Sequence, residues 1–379
     1  MQCEYFGVCG SCDLGGNSYE DQLNIKVQTQ KERFGDIYNG PFDIITSQSD
    51  AFRDRAEFRI FRLFDKFNNP TIHYAMNSVE KKPFVINTCS IVNPFIADLM
   101  PKLLEAISQD DDLSTKLFGV EFLCSTSNDM LVTLLYHRKL QTNWEEKAKE
   151  LQDKFNIKII GRSRKQKIIL KEDFITQTLQ INDRTYLFEY FEGGFTQPNQ
   201  KVNQQMISWV INNIDKQNDL CELYCGGGNF TLPLSSCFEK VLATEISKTS
   251  IKSALKNCQL NGVGNITFIR MSSEEFVEAR NKIREFTRLK QQNVNLDDYN
   301  FSTIFVDPPR AGLDATTTKL CSEFEQIIYI SCNPETLHRD LQELTKTHDI
   351  QKFAFFDQFA YSSHIESGVI LNKKNPKTI

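Results

Sequence analysis

The chain has 379 residues, 40% of them hydrophobic, and a formal net charge of -5. That length allows two sizeable hydrophobic cores, and no run of eighteen apolar residues suggests a membrane span. The first residues lack a basic segment followed by an apolar one, so no secretory signal is expected. The sequence therefore predicts a cytoplasmic protein whose 11 cysteines form no disulfides.

The first half of the chain, residues 1–190, is predicted to be an α/β domain. Strands are expected at 119–124 and 130–137, where apolar residues are concentrated. The pattern Thr-Asn-Trp-Glu at 142–145 predicts a capping box that opens a helix.

Two groups of basic residues in this half indicate the binding partner better than the negative net charge of the whole chain does. Arg53, Arg55 and Arg59 alternate along one face of a predicted strand whose other face is apolar. The second group consists of Arg162, Arg164, Lys165, Lys167 and Lys171, around the predicted strand 167–170. Either group alone is consistent with a solvated strand edge that blocks aggregation, but two in one half favour a surface that binds phosphates. Residues 1–190 are therefore predicted to form an RNA-binding domain.

The second half, residues 191–379, carries the pattern of a nucleoside cofactor site. The predicted strand 220–224 runs into a glycine-rich turn at 225–230, where glycine lets the backbone approach a ligand closely. A later predicted strand ends at Glu245, and a carboxylate there can accept both hydroxyls of a ribose. Phe230 stands where dinucleotide-binding turns have a third glycine, so a nucleoside without pyrophosphate fits better. Repeated strand–helix units predict a doubly wound, Rossmann-like sheet of the S-adenosylmethionine-dependent methyltransferase type.

Two further strands are expected to bring reactive side chains to the same crevice. The run 303–306 precedes Asp-Pro-Pro-Arg at 307–310, and the run 327–330 precedes Cys332. Because the carboxyl ends of strands in open α/β sheets face the ligand crevice, a carboxylate and a thiol are expected together there. The alternative for Cys332 on its own is a small buried hydrophobic residue.

Three motifs of this half resemble the RNA uracil-C5 methyltransferase family. They are the Asp-Pro-Pro-Arg turn, Ser-Cys-Asn-Pro-Glu-Thr at 331–336, and His-Ile-Glu-Ser-Gly at 364–368. Segments 195–199 and 284–289 resemble the TrmA branch, which methylates the T-loop uridine of transfer RNA. The resemblance implies a class I methyltransferase domain at residues 191–379, with tRNA and also tmRNA as partners, and neither a membrane nor an obligate protein partner.

The chemistry of that family assigns roles to individual residues. A cysteine adds to C6 of uracil so that C5 can attack the cofactor's methyl group, and a carboxylate then removes the C5 proton. The resemblance implies that Cys332 is this nucleophile and Glu366 this base, although a glutamate taken alone is most often a solvated surface acid. It also implies that five residues bind S-adenosyl-L-methionine: Gln197, Tyr224, Asn229, Glu245 and Asp307.

The N-terminal cysteines resemble a different branch of the same family. Cys3, Cys9 and Cys12, with the distant Cys89, resemble the four cysteines that bind a [4Fe-4S] cluster in ribosomal-RNA uracil-C5 methyltransferases. A zinc site and unliganded cysteines are the alternatives. These cysteines also keep open methylation of 23S ribosomal RNA, against which the tRNA-type segments and the lack of a recognisable N-terminal β-barrel module argue. A third candidate is a factor that folds RNA without catalysis.

Overall fold

The computed structural model describes residues 3–215 and 218–375, which form two large sheets and a two-stranded ribbon. The helices are α1 (Tyr19–Phe34), α2 (Pro94–Ser108), α3 (Asp111–Ser114), α4 (Thr142–Phe155), α5 (Gln200–Asn213), α6 (Thr231–Leu234), α7 (Lys248–Asn261), α8 (Ser273–Arg280), α9 (Thr287–Gln291), α10 (Ala315–Cys321) and α11 (Pro334–Leu344). The strands are β1 (Phe42–Ile45), β2 (Arg55–Phe64), β3 (Pro70–Asn77), β4 (Pro83–Ile86), β5 (Leu117–Cys124), β6 (Met130–Tyr136), β7 (Lys158–Ser163), β8 (Gln166–Ile169), β9 (Phe174–Ile181), β10 (Arg184–Phe191), β11 (Asp219–Leu223), β12 (Lys240–Glu245), β13 (Ile266–Arg270), β14 (Phe301–Val306), β15 (Gln326–Ser331), β16 (His348–Phe356) and β17 (Glu366–Lys373). No helix of the described ranges is long and apolar enough to cross a membrane.

The larger sheet has eight strands in the order β1-β16-β17-β15-β14-β11-β12-β13. Every pairing in it is parallel except the two that involve β17. The chain builds outward through β12 and β13 on one side of β11 and through β14 and β15 on the other, so a crevice opens between β11 and β14. This arrangement confirms the predicted doubly wound sheet.

The second sheet is formed by the first half of the chain, in the order β4-β3-β2-β5-β6-β7-β8. Helices α2 and α4 contribute to its core, where Trp144, Phe58 and Phe122 are fully buried. The strands predicted at 119–124 and 130–137 are present as β5 and β6. The capping box predicted at Thr142 is wrong, because Gln141 is the N-cap of α4 and makes no side-chain capping hydrogen bond.

Helix α1 and strand β1 belong to the methyltransferase sheet although they lie near the start of the chain. Strand β1 extends the sheet edge by pairing in parallel with β16, with Phe42 opposite Phe353. Phe34 of α1 packs edge-on against Phe353 at a ring-centroid distance of 4.8 Å. The structure therefore differs from the predicted division at residue 190, since part of the first half completes the sheet of the second.

Candidate active site

A glycine-rich turn follows β11 at the edge of the crevice. Tyr224 and Gly226 have positive φ values of 63° and 55°, and Gly228 has 84°. A Cβ on Gly228 would lie 2.5 Å from the Leu232 side chain, so only glycine fits there. Tyr224 is a non-glycine residue in this left-handed region, and its hydroxyl donates to Ser273 Oγ at 2.8 Å. The Tyr224 hydroxyl thus connects the turn to Ser273, the first residue of α8.

The crevice contains a cavity of about 380 Å³, which is a size typical of small-molecule sites. Four of the five predicted cofactor residues line it: Gln197, Tyr224, Asn229 and Asp307. The fifth, Glu245, does not line the cavity. Its carboxylate accepts from the backbone N–H of Gly226 at 3.1 Å and of Ser247 at 2.7 Å, beside the turn.

Two of the lining residues are held by neighbouring amides. Asn229 and Asn203 exchange reciprocal side-chain hydrogen bonds of 2.9 Å. Gln197 is buried in the turn before α5, where its carbonyl accepts from Gln200 Nε2 at 2.7 Å. Asn199 caps the same helix by accepting from Val202 N. The start of α5 therefore fixes one wall of the cavity.

The carboxyl groups of Asp307 and Glu222 both line the cavity, and the sequence predicted only Asp307. Asp307 follows β14, and burial raises its pKa to about 7. Glu222 lies within β11 and is 1% exposed, and its Oε2 has no hydrogen-bond partner among the described residues. Burial and the Asp307 carboxylate raise the pKa of Glu222 to about 8. The missed signal was a single acid within the apolar run Leu-Cys-Glu-Leu.

Cys332 and Glu366 come together because β17 pairs with both β15 and β16. Ser331, at the end of β15, lies opposite Ser367, and Phe356, at the end of β16, lies opposite Glu366. Cys332 is half-buried and Glu366 is 5% exposed. The structure thus places the predicted nucleophile and the predicted base at one edge of the sheet.

The thiol and carboxyl groups at this end of β15 shift one another's pKa values. Burial, together with the charges of Glu366 and Asp307, raises the pKa of the Cys332 thiol to about 11, and the Arg310 charge opposes this rise. Burial and Asp307 raise the pKa of Glu366 to about 8, again opposed by Arg310. Asp307 therefore links the cavity to the thiol, and Arg310 is the nearby cation that favours both ionised groups.

The loop of Cys332 is tied to the Asp-Pro-Pro-Arg turn. Asn333 Nδ2 donates to the carbonyl of Arg310 at 2.9 Å, and Thr336 Oγ1 donates to the same carbonyl at 3.3 Å. Asn333 also caps α11 by accepting from Glu335 N. These contacts give the Asn and Thr positions of the motif a structural reason.

The four N-terminal cysteine candidates line one cavity of about 200 Å³. They are Cys3, Cys9, Cys12 and Cys89, and Arg53 lines the same cavity. Burial raises the pKa of Cys12 to about 12, and the other three thiols contribute in the same direction. Within residues 3–215 and 218–375, however, no three His, Cys, Asp or Glu side chains are arranged around one point as a metal ion requires.

The predicted basic strand presents less charge to solvent than expected. Arg53 is largely enclosed beside the cysteines, and its Nε donates to the carbonyl of Arg55 at 2.8 Å. Arg55 donates to the carbonyl of Gly194, so of the three arginines only Arg59 is exposed. The prediction that all three form one solvent-facing patch is therefore wrong.

The second basic group is divided between ion pairs and open surface. Arg162 and Lys167 both pair with Glu192. Arg164 and Lys165 are exposed and line a broad groove of about 680 Å³ together with Phe118 and His137. The rings of Phe118 and His137 stack at 3.9 Å. Sequence reasoning missed this aromatic pair, because Phe118 lies in β5 and His137 follows β6, nineteen positions later in the chain.

The fold and the cavity together define a class of protein. A doubly wound sheet with a glycine-rich turn, a cavity lined by amides and acids, and an Asp-Pro-Pro-Arg turn is the arrangement of an S-adenosylmethionine-dependent methyltransferase. The solved structure of Pyrococcus abyssi tRNA (uracil-54, C5)-methyltransferase in complex with S-adenosyl-L-homocysteine has the same fold, with a TM-score of 0.71. It is 19% identical and covers 95% of this chain and 85% of that chain.

Sequence comparison identifies the family. The family model described as tRNA (Uracil-5-)-methyltransferase matches residues 18–374. A tRNA/tmRNA (uracil-C(5))-methyltransferase of Aliarcobacter butzleri is 60% identical over 98% of this chain and 99% of its own length. The protein of the same name from Sulfurovum sp. is 50% identical over 99% and 100%, respectively. The chain belongs to the tRNA (uracil-5-)-methyltransferase family, which confirms the predicted resemblance.

The assignment of Glu245 to the cofactor ribose can be tested by calorimetry. Glu245→Ala removes hydrogen bonds to a charged group, each worth about 1.5–3 kcal/mol, so the affinity for S-adenosyl-L-homocysteine should fall about tenfold or more. Glu239→Ala, at the opposite end of β12 on an exposed residue, should leave affinity unchanged. Unaltered binding by a folded Glu245→Ala variant would contradict the assignment.

Proposed function

We propose that the protein transfers a methyl group from S-adenosyl-L-methionine to C5 of the T-loop uridine of tRNA, and of tmRNA. The observation that carries this proposal is the placement of Cys332, Glu366 and Asp307 at one edge of the sheet, beside a cavity of cofactor size. The names of the similar proteins from A. butzleri and Sulfurovum point to the same substrates. The cytoplasmic location expected from the sequence stays a prediction.

The residues around the cavity fit S-adenosyl-L-methionine. Its ammonium group suits the buried Glu222 carboxylate, which has an unpartnered oxygen in the cavity wall. Gln197, Tyr224 and Asn229 offer amide and aromatic surfaces for the rest of the molecule. When bound, this cofactor supplies an electrophilic methyl group.

Cys332 is the nucleophile in the proposed mechanism. Its thiolate forms a bond to C6 of uracil and the thiol proton leaves to solvent, which makes C5 electron-rich enough to take the methyl group. The raised pKa of Glu366 favours its neutral form, which reduces the negative charge beside the forming thiolate. The Arg310 cation favours the thiolate form of Cys332.

Glu366 acts after methyl transfer. Once ionised, its carboxylate takes the proton from C5, the C5–C6 double bond re-forms, and Cys332 leaves as the thiolate. A carboxylate whose pKa is about 8 is a stronger base than an ordinary glutamate, so this step suits neutral pH. The buried position of Glu366 thus contributes directly to its proposed role.

The RNA must present its uridine out of the stacked loop to reach Cys332. The exposed Arg164 and Lys165 can bind phosphates, and the stacked Phe118 and His137 offer a surface for an unstacked base. Phe195, which is 80% exposed at the rim of the cofactor cavity, offers another. This distribution supports binding of a folded RNA loop across the two halves of the chain.

The shared cysteine cavity keeps the ribosomal-RNA alternative open. Four cysteines around one space are the feature that resembles the 23S rRNA enzymes, whereas the 195–199 and 284–289 segments resemble the tRNA branch. A protein that only folds RNA would not require the thiol of Cys332 beside the carboxyl group of Glu366. The tRNA assignment therefore has the stronger support.

We further propose that Cys3, Cys9, Cys12 and Cys89 bind a [4Fe-4S] cluster. Each cysteine of such a cluster binds a different iron atom, so the four sulfurs need not surround one point as they do around zinc. The observation that supports the proposal is that all four cysteines line one cavity. The cluster would join the N-terminal segment to the segment after β4 and take no part in methyl transfer.

Removal of the Cys332 thiol should abolish methylation without loss of binding. Cys332→Ala is expected to bind tRNA and cofactor as the wild type does but to transfer no methyl group. Wild-type protein should also form a stable covalent complex with tRNA containing 5-fluorouridine, because fluorine cannot be removed as a proton. Cys237→Ala is the matched control and should retain activity. Measurable turnover by Cys332→Ala would exclude this nucleophile.

Glu366→Gln should trap the reaction after methyl transfer. The amide cannot accept the C5 proton, so a methylated enzyme–RNA species should accumulate and survive denaturing gel electrophoresis. In the wild type, the decay of this species should accelerate as pH rises towards about 8.

The same substitution has a thermodynamic signature. Because the folded-state pKa of Glu366 lies above its ordinary value of 4.5, the folded protein binds more protons, and stability should fall as pH rises from about 4.5 to about 8. Melting temperatures of Glu366→Gln should fall less over this range. Equal slopes for both proteins, together with no trapped species, would place the base elsewhere.

The cluster predicts a specific metal content. Protein purified without oxygen should be brown and contain about four iron atoms per chain. Cys12→Ser or Cys89→Ser should lose the iron and destabilise the first half while cofactor binding persists, whereas Cys237→Ser should keep it. Zinc in place of iron, or metal-free protein, would overturn the assignment.

A further inference from the structure

The loop between β16 and β17, residues 357–365, is held largely by the N-terminal segment. Its backbone contacts include Leu14 N donating to the carbonyl of Tyr361 at 2.9 Å and Ser363 N donating to Asp13 Oδ1 at 2.8 Å. Tyr361 N donates to Gln22 Oε1 at 3.0 Å, in a residue whose φ of 62° lies in the left-handed region. The loop is irregular, so these contacts determine its shape.

Lys26 of α1 lies at the centre of this arrangement. Its Nζ forms an ion pair with Asp357 and donates to the carbonyls of Phe359 at 3.0 Å and of His364 at 3.4 Å. The Lys26 and Asp357 side chains are 1% and 0% exposed. An ammonium group has three protons, and here its three partners are Asp357, Phe359 and His364, which lie near both ends of the loop.

Asp357 is also saturated by other donors from α1. Its Oδ2 accepts from the Tyr19 hydroxyl at 2.9 Å and from Gln22 Nε2 at 3.3 Å. A buried ion pair is weak evidence for stability, because apolar residues of similar size often stabilise a fold as well. The structural effect of this pair is to hold the loop 357–365 in one shape.

The ordered loop ends at Glu366. Glu366 is 5% exposed and follows the loop directly as the first residue of β17, so its carboxylate moves with the backbone of the loop. That backbone is fixed on one side by the pairing of Glu366 with Phe356 and on the other by the contact of Lys26 with the His364 carbonyl, two residues earlier. Movement of the loop would therefore move the carboxylate.

We propose that Lys26, through Asp357 and two loop carbonyls, positions Glu366 for removal of the C5 proton. Lys26 is a positioning residue, since it does not touch the reacting atoms. The inference rests on the proposed function and adds that one step depends on α1: resolution of the methylated enzyme–RNA adduct, and not its formation.

The test is a single-turnover assay of Lys26→Met with tRNA and S-adenosyl-L-methionine. Methionine preserves an unbranched side chain and removes the three donors. Adduct formation should stay within about twofold of wild type while adduct decay slows about tenfold or more, because small displacements of a reacting group carry large rate losses. Amide hydrogen exchange in residues 357–365 should accelerate in the same variant.

Two further variants cover a failure of Lys26→Met to fold. Lys26→Met with Asp357→Leu removes both charges and leaves no uncompensated buried carboxylate. Tyr19→Phe keeps the ion pair and removes the hydroxyl that donates to Asp357 and accepts from Ser47 N. Both should slow decay selectively, the second to a smaller extent.

Matched controls separate positioning from general destabilisation. Val27→Ala removes buried apolar atoms from the same helix without touching the loop contacts, and Lys31→Met removes an exposed charge of that helix. Neither should separate adduct formation from decay. A wild type that transfers no methyl group would overturn the proposed function and this inference with it. Normal wild-type turnover with both steps slowed equally, or neither slowed, in folded Lys26 and Tyr19 variants would overturn the inference alone.

Discussion

The insertion of the antiparallel strand β17 between β15 and β16 is the constraint on which the active site depends. A wholly parallel sheet would leave the end of β15 beside the end of another parallel strand. Here the start of β17 meets the end of β15, so Glu366 emerges next to Cys332. Strand β1 and helix α1 complete the far side of β16, and so the N-terminal segment supports the edge that carries the base.

Burial of several carboxyl groups at this edge determines their chemistry. Glu222, Asp307 and Glu366 all have raised pKa values, because desolvation disfavours their ionised forms, and the Asp307 charge adds to this effect for Glu222 and Glu366. The protons they retain reduce the negative charge beside Cys332, and the ionised Glu366 is correspondingly basic. The exclusion of water from these carboxyl groups destabilises the fold, but it favours both addition of the thiolate and removal of the C5 proton.

Sequence reasoning predicted the sheet and the positions of Asp307 and Cys332 because their signals are local, whereas Glu366 was predicted only from the family resemblance. Apolar runs ending in Asp307 and Cys332 define strand ends directly, whereas the pairing of β1 with β16 joins segments about three hundred residues apart and has no local signature. The alternating sequence pattern grouped Arg53 with Arg55. It carried no information about the Gly194 carbonyl, which binds Arg55, or about the cysteine cavity, which Arg53 lines. Glu222 was missed because its run was interpreted only as a buried strand.

The central claim is that this site methylates C5 of the T-loop uridine. The most direct measurement incubates the protein with S-adenosyl-L-methionine carrying a deuterated methyl group and equal amounts of unmodified tRNA and 23S rRNA transcripts, followed by nuclease mapping and mass spectrometry. The account predicts one labelled 5-methyluridine, in the T-loop fragment of the tRNA. Label confined to rRNA, or absent from both RNAs, would contradict it.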